Sequence, residues 1–223
     1  MDSTPDPAVL EVEWLGGLPF DAALARQHAQ RERVVGGAPG RLFLVEHPAC
    51  LTLGRRARSD DILWTPEELA RRGVQVFETP RGGEATLHAP GQLVVYPVVH
   101  VGRQIRQHLH HLAEVTRTLL VELGVESVFR EDHPGLWVGN AKIASMGIHV
   151  ARGVAVQGLS LNLAVDPVLF GALVSCGLRG VTLLSARDCG APPVTVAVAA
   201  TRWAELWAAA TGVQLEWIRR PEP

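Results

Sequence analysis

Between Arg81 and Pro97 the chain reads RGGEATLHAPGQLVVYP, and two glycine-containing turns bracket a short Thr/His segment before an apolar run. Gly82-Gly83 can take backbone angles closed to other residues, and Pro90-Gly91 marks a second turn. Backbone amides there can come close to a ligand, so the segment reads as the wall of a pocket rather than as a core strand. Ala85 and Leu87 alternate with Thr86 and His88, as in a half-buried strand with one apolar and one polar face. Arg81, Glu84, Thr86 and His88 are the polar groups such a wall offers. The same pattern also suits a tight hairpin whose polar residues satisfy its own turns.

The 223 residues are enough to bury a core without disulfides or metals. A formal charge of −2 gives no reason to expect nucleic acid. The start, MDSTPDPAVLEVEW, carries acids and prolines where a secretory signal would be basic and then apolar. No run approaches the roughly 18 uncharged apolar residues of a membrane span. A cytoplasmic protein is therefore expected, with residues 1–8 as a flexible tail and 9–218 as one domain. Cys50, Cys176 and Cys189 are too few and too unevenly spaced for a disulfide framework or a zinc site, so each is expected to be a free thiol.

Helices are expected over Phe20 to Val35, closed by Gly36-Gly37, and over Gln104 to Leu123, stopped by Gly124. Another begins at Thr65-Pro66-Glu67-Glu68, where Thr65 can cap, Pro66 fits the first turn and Glu68 completes a capping box. Val194 to Ala210, with Trp203 and Trp207 four apart, reads as a packed helix. Strands are expected from Val9, Arg41, Cys50, Val74, Leu93 and Val213. Val125 to Phe129, Gly135 to Val138, Ile143 to Val150 and Val154 to Leu163 form a four-strand meander. Strands and helices intersperse without regular alternation, which argues for an α+β domain whose mixed, largely antiparallel sheet is flanked by helices. His108, His110 and His111 read as solvent-facing residues of an amphipathic helix, because a metal pair on a helix sits four apart with a third ligand elsewhere. No metal site is expected. Arg55, Arg56 and Arg58 read either as a solvated loop or as a contact for a phosphate or an acidic partner.

Lys142 is the only lysine, all the other Lys/Arg positions being arginine. A genome rich in G and C would favour such a bias, yet the surface has not used lysine as filler. A lysine kept at the start of the apolar run Ile143-Ala144 can serve as a base, which arginine cannot. Cys176, between Ser175 and Gly177, would lose its proton more readily beside that amine. Together with a glycine-rich pocket the two suggest Cys/Lys acyl transfer.

Four ordered blocks then carry a resemblance. They are Arg81-Gly82-Gly83-x-x-Thr86-x-His88-x-Pro90-Gly91-Gln92 with Tyr96-Pro97; Gly135 to Val138 leading to Lys142-Ile143-Ala144-Ser145-Met146-Gly147; Gly158-Leu159 with Asn162 and Asp166; and Cys176-Gly177. His47-Pro48 and Thr52-Leu53-Gly54-Arg55 also match. Over nearly the whole chain the sequence resembles the lipoyl(octanoyl) transferases. That resemblance implies one mixed sheet flanked by helices, as in biotin and lipoate ligases. It implies a ping-pong reaction in which Cys176 takes an octanoyl or lipoyl group from the phosphopantetheine of acyl carrier protein and passes it to a lysine of a lipoyl domain. Lys142 would be the base, and neither ATP nor metal would be needed. The acceptors would be lipoyl domains of 2-oxoacid dehydrogenase complexes and the glycine cleavage H protein, with no nucleic-acid or membrane partner. The acyl tunnel would be lined by Arg81, Gly82, Gly83, Glu84, Ala85, Thr86, Leu87 and His88, by Ser145, Met146 and Gly147, and by Gly158, Leu159 and Ser160. The chain departs from the family pattern at Gln157, where His is usual, at Ala89 for a glycine, and at Ser175 for a proline. The alternatives are an ATP-dependent lipoate or biotin ligase, for which Gly54 to Arg58 has too few glycines, and a non-catalytic acyl-binding relative.

Overall fold

A computed structural model describes residues 8–174 and 181–222. Apart from Ala8 the expected tail lies outside the described residues, as do Ser175, Cys176 and Gly177. The chain runs β1 (Val9–Gly17), α1 (Phe20–Val35), β2 (Gly40–Glu46), β3 (Cys50–Leu53), α2 (Pro66–Arg71), β4 (Gln75–Glu78), β5 (Ala85–His88), β6 (Gln92–Val98) and α3 (Ile105–Glu122). It continues through β7 (Val128–Arg130), β8 (Gly135–Val138), β9 (Ala141–Ala151), β10 (Val154–Asn162), β11 (Thr182–Leu183), α4 (Val196–Thr211) and β12 (Gln214–Arg219).

The main sheet has the order β12-β1-β2-β6-β10-β9-β8-β7, with β11 added to β9. Its β12-β1-β2 end is parallel, and β2 through β7 are antiparallel. The mixed sheet and the meander are thus as expected. A second sheet, β4-β3-β5, adds to the single sheet that the resemblance implied. It forms because Glu46 to Cys50 turns the chain out of β2, so that the Ala85–His88 segment pairs with β3 and not with the main ladder.

Central strands without polar alternation are covered on both faces. Along β2, Leu42 and Leu44 pack into the layer of α3 and α4, whereas Phe43 and Val45 face α1. Leu93 and Val95 of β6 divide from Val94, Tyr96 and Val98 in the same way. A third cluster, including Leu51, Leu69, Leu87 and Leu173, lies under the small sheet. Thr65 accepts from the Glu68 amide while Glu68 accepts from that of Thr65, so the capping box at α2 forms as read.

The histidines of α3 require a correction. His108 is buried, and both His108 and His111 meet the Trp207 ring edge-on, while His110 meets Phe129 and lies 3.2 Å from Glu131. They pack because α4 crosses α3 there, and Trp203, stacked on Trp207, donates to Thr116.

Trp203→Ala should lower unfolding free energy by about 3–5 kcal/mol, since it empties a buried indole site. Thr195→Ala, which removes the α4 cap on the Val198 amide, should cost about 1 kcal/mol. Urea denaturation measures both, and equal losses would contradict this division of the core.

Candidate active site

The site begins with small residues. The β9–β10 register pairs Ser145 with Ser160 and Gly147 with Gly158, which puts four small residues on one face of the sheet. No large side chain projects from these four positions, so a hollow remains. Gly158 cannot be enlarged, because a Cβ there would stand 2.3 Å from the Val95 carbonyl oxygen. Just before it, Gln157 has φ +63 and is buried, its amide donating to Gln27 Oε1 of α1.

The Arg81–Glu84 turn closes the hollow from above. Gly82 N–H donates to the Ile148 carbonyl of β9, which docks the turn on the large sheet. The amides of Gly54, Arg55 and Arg56 donate to the carbonyls of Glu84, Arg81 and Gly83. Gly54 is required at that contact, since a Cβ would lie 2.3 Å from the Gly83 oxygen. The Gly54–Arg56 backbone is therefore a clamp on the turn, while the Arg56 guanidinium reaches Glu84 and that of Arg58 reaches Asp60. Arg81 is buried, and donates to the Thr52 carbonyl and hydroxyl and to the Gly82 carbonyl.

Two neighbouring spaces with shared walls result. An outer cavity of about 170 Å³ is lined by Arg81, Gly82, Gly83, Glu84, Ala85 and Thr86 on one side, and by Lys142, Ser145, Met146 and Gly147 on the other. An inner one of about 20 Å³ lies against Arg81, Thr86, His88, Ser145, Met146, Gly147, Gly158, Leu159 and Ser160. Leu87 lines neither and packs under the small sheet. Phe20, Val94, Tyr96 and Gln157 border the inner space, and Leu109, His133, Pro134 and Ile148 the outer. Phe20 and Leu109 stand far from the motif blocks in sequence, so only tertiary packing reveals them.

Lys142 reaches this space through an irregularity in β9. Gly135 pairs with Ser145 and Leu136 with Ala144, but the register then slips so that Trp137 meets Lys142. The extra residue, Ile143, is a bulge, and it carries Lys142 to the face that holds Ser145. A regular strand would have turned the lysine to the opposite face. Lys142 is 3% exposed, with Nζ 5.3 Å from the centre of the Trp137 ring. Its carbonyl accepts from Leu184, and β11 pairs Leu183 with it. Cys176 lies outside the described residues.

The polar face of β5 turns toward the cavities and not to solvent. His88 is buried and donates from Nδ1 to Gln92 Oε1 at 2.8 Å; Gln92 donates on to Asn162, which donates to the Leu184 carbonyl. His47 donates to the Leu18 carbonyl and accepts from the Tyr96 hydroxyl. Burial, with His47 alongside, holds His88 down to about 3, and burial holds His47 and His108 down to about 4. All three are neutral at pH 7. Burial raises the Cys50 thiol to about 12, an inert core group, and burial followed by Asp188 raises that of Cys189. Among the described residues no group of three His, Cys, Asp or Glu is disposed to hold a metal ion, and no helix is long and apolar enough to cross a membrane.

A buried amine thus stands beside a glycine-rimmed cavity on a mixed sheet flanked by helices. The chain belongs to the lipoyl protein ligase A/B catalytic domain family, whose model matches residues 19–204. It is 39% identical over 163 residues to an octanoyltransferase of Syntrophobacter fumaroxidans, covering 72% of this chain and 71% of that one. Over 194 residues it is 40% identical to an octanoyltransferase of Chloroflexus aggregans, covering 83% and 88%. A crystal structure of lipoate-protein ligase A bound with ATP superposes with a TM-score of 0.79 over 97% of this chain and 90% of that one, at 15% identity.

The buried histidines give the protein a defined acid limit. Their folded values lie below the unfolded 6.5, so between those values the unfolded state binds more protons and stability falls as pH falls. The histidines' contribution should be full above about pH 6.5 and fall toward pH 4, by on the order of a kcal/mol per pH unit for each histidine. Denaturation midpoints should follow that course, and His108→Leu should flatten it. An unchanged slope in that variant would refute the assignment to His108.

Proposed function

We propose that the chain moves an octanoyl or lipoyl group from the phosphopantetheine thiol of acyl carrier protein to the ε-amine of a lysine on a lipoyl domain, through a thioester on Cys176. The observation that carries this reading is the lysine itself: the only lysine of the chain is buried and lines the larger of two cavities at the site. The described residues on either side of Cys176 also support it. Val174 N–H donates to the Asp61 carbonyl on one side of that segment, and Leu183 pairs with Lys142 on the other. The described chain following Cys176 thus pairs with the strand that carries the amine.

In the first half-reaction Lys142 takes the Cys176 proton, the thiolate attacks the acyl carbon, and Lys142 returns that proton to the departing carrier sulfur, which leaves as the thiol. In the second, the lysine of the lipoyl domain attacks the new thioester; its proton passes to Lys142, and the Cys176 sulfur leaves. Exchange between thioesters is nearly balanced and amide formation is downhill, so the reaction proceeds without ATP or metal. Each buried CH₂ contributes about 0.8 kcal/mol, and the outer cavity would hold the chain with its end at the narrow inner one. The acceptors would be lipoyl domains of 2-oxoacid dehydrogenase complexes and the glycine cleavage H protein, and the enzyme would work in the cytoplasm. The catalytic unit spans residues 9–218.

Incubation with octanoyl carrier protein and a lipoyl domain, ATP omitted, should give octanoylated domain; an absolute need for ATP would favour the ligase reading. Intact-protein mass spectrometry should find an acyl-sized, hydroxylamine-sensitive adduct that Cys176→Ala lacks. Lys142→Arg should fold and lose on the order of 10²–10⁴-fold in rate. A rate retained across neutral pH would remove the base role.

A further inference from the structure

Two residues of β8 hold the lysine in ways that sequence spacing does not reveal. Gly135 leaves room for it: a Cβ built there would stand 2.3 Å from Lys142 Cε, 3.1 Å from Nζ and 2.3 Å from the Ala144 carbonyl oxygen. The lysine side chain therefore lies directly on the Gly135 backbone. Any larger residue would drive the amine away from where it now ends. Trp137 supplies the other boundary, with its ring centre 5.3 Å from Nζ. The ring itself is fixed, since Trp137 is 1% exposed and its Nε1 donates to the His133 carbonyl at 3.2 Å. The Arg130 guanidinium lies over the same ring at 4.5 Å and donates to the Gly139 carbonyl.

The chemistry of the step makes this arrangement consequential. When the Cys176 S–H bond breaks, its proton forms a new N–H bond on Lys142, and a neutral pair becomes thiolate and ammonium. An ammonium within about 6 Å of an indole centre is attracted to the electron-rich ring, by roughly 0.5–2 kcal/mol and more strongly when water is excluded. The attraction appears only as the amine becomes charged. It therefore favours the products of proton transfer over its reactants.

We propose that Gly135 and Trp137 are positioning residues for the proton-transfer step, the glycine by leaving the lysine its path and the tryptophan by presenting a ring to the charged amine. The inference rests on the reading of Lys142 as base. It assigns a reason to the Gly-x-Trp spacing and to the β9 bulge that brings Trp137 opposite the lysine.

The test measures kcat and KM for octanoyl carrier protein, and the rate at which iodoacetamide alkylates Cys176, in variants checked by circular dichroism and thermal melting. Trp137→Leu should lower kcat and the alkylation rate together by about 2- to 30-fold with KM unchanged. Trp137→Phe, which keeps a ring but not the bond to His133, should recover most of both. Gly135→Ala should lose at least as much as Trp137→Leu. Folded Leu and Ala variants with wild-type kcat and alkylation would overturn the proposal. So would equal losses in the Leu and Phe variants, which would mark the indole as a packing element only. Should Trp137→Leu fail to fold, Trp137→Phe and Gly135→Ala decide: wild-type alkylation in a folded Gly135→Ala refutes, and loss there with near-normal Trp137→Phe supports. Lys142→Ala run in parallel separates the layers. If it retains full activity the base reading itself fails, whereas an inactive Lys142→Ala beside unaffected Gly135 and Trp137 variants sinks only this inference.

Discussion

A buried guanidinium ties the site together. Arg81 reaches from the glycine turn into the small sheet, where Nη2 donates to both oxygens of Thr52, while Nη1 donates to the Gly82 carbonyl beside it. Arginine stays charged under all ordinary conditions, so burying it is tolerable only where acceptors are already in place. Those acceptors exist because β3 pairs with β5 on one side of the turn and Gly82 docks on β9 at the other. If the turn rises off β9, the guanidinium loses its fixed surroundings and the roof of the cavity opens. The glycines of the turn are thus held by a polar interior contact, and the space beneath them is kept from collapsing.

What lies beneath is a deliberate lack of side chain. Ser145, Gly147, Gly158 and Ser160 would be ordinary core positions in a sheet covered on both faces, and large residues occupy the equivalent places on β2 and β6. Leaving them small forgoes apolar contact in the empty protein. A hollow of that kind is stable only between rigid walls, since a flexible one would close over it. Rigidity comes from satisfied polar groups. The His88–Gln92–Asn162 chain spans β5, β6 and β10, and the His47–Tyr96 pair sits next to it with the two imidazoles 5.4 Å apart. Kept neutral by burial, those imidazoles brace the hollow without adding charge to it.

Most of this was legible as pattern, and the rest failed for identifiable reasons. The helices, the capping box at Thr65, the meander and the glycine turn each have local signatures, and they appear close to where the sequence puts them. The α3 histidines do not, because whether an imidazole faces water depends on where another helix crosses. That helix, carrying Trp207, lies almost a hundred residues further on. The small sheet escaped notice for a similar reason, since four-residue strands announce neither their partners nor their layer. Arg81 was legible as polar but not as an interior strut, and Gly54 to Arg58 as basic but not as a backbone clamp. Leu87 belonged by position to the motif, yet strand alternation turns it under the small sheet. The face on which Lys142 stands was beyond any periodicity argument, because a single extra residue in β9 inverts it.

That inversion bears on why one fold serves different chemistries. A lipoate-protein ligase that binds ATP shares this architecture over 90% of its chain at 15% identity, so the fold does not by itself select the reaction. A ligase must create an activated acyl group before it can form an amide. A transferase receives one already activated as a thioester, and needs only a nucleophile to hold it and a base to move protons. In this chain a bulge turns Lys142 toward the cavity, Gly135 leaves it room, and β11 pairs with the lysine's own strand. These sit on the β8–β9 edge, away from the β2–β6 core that supports the fold.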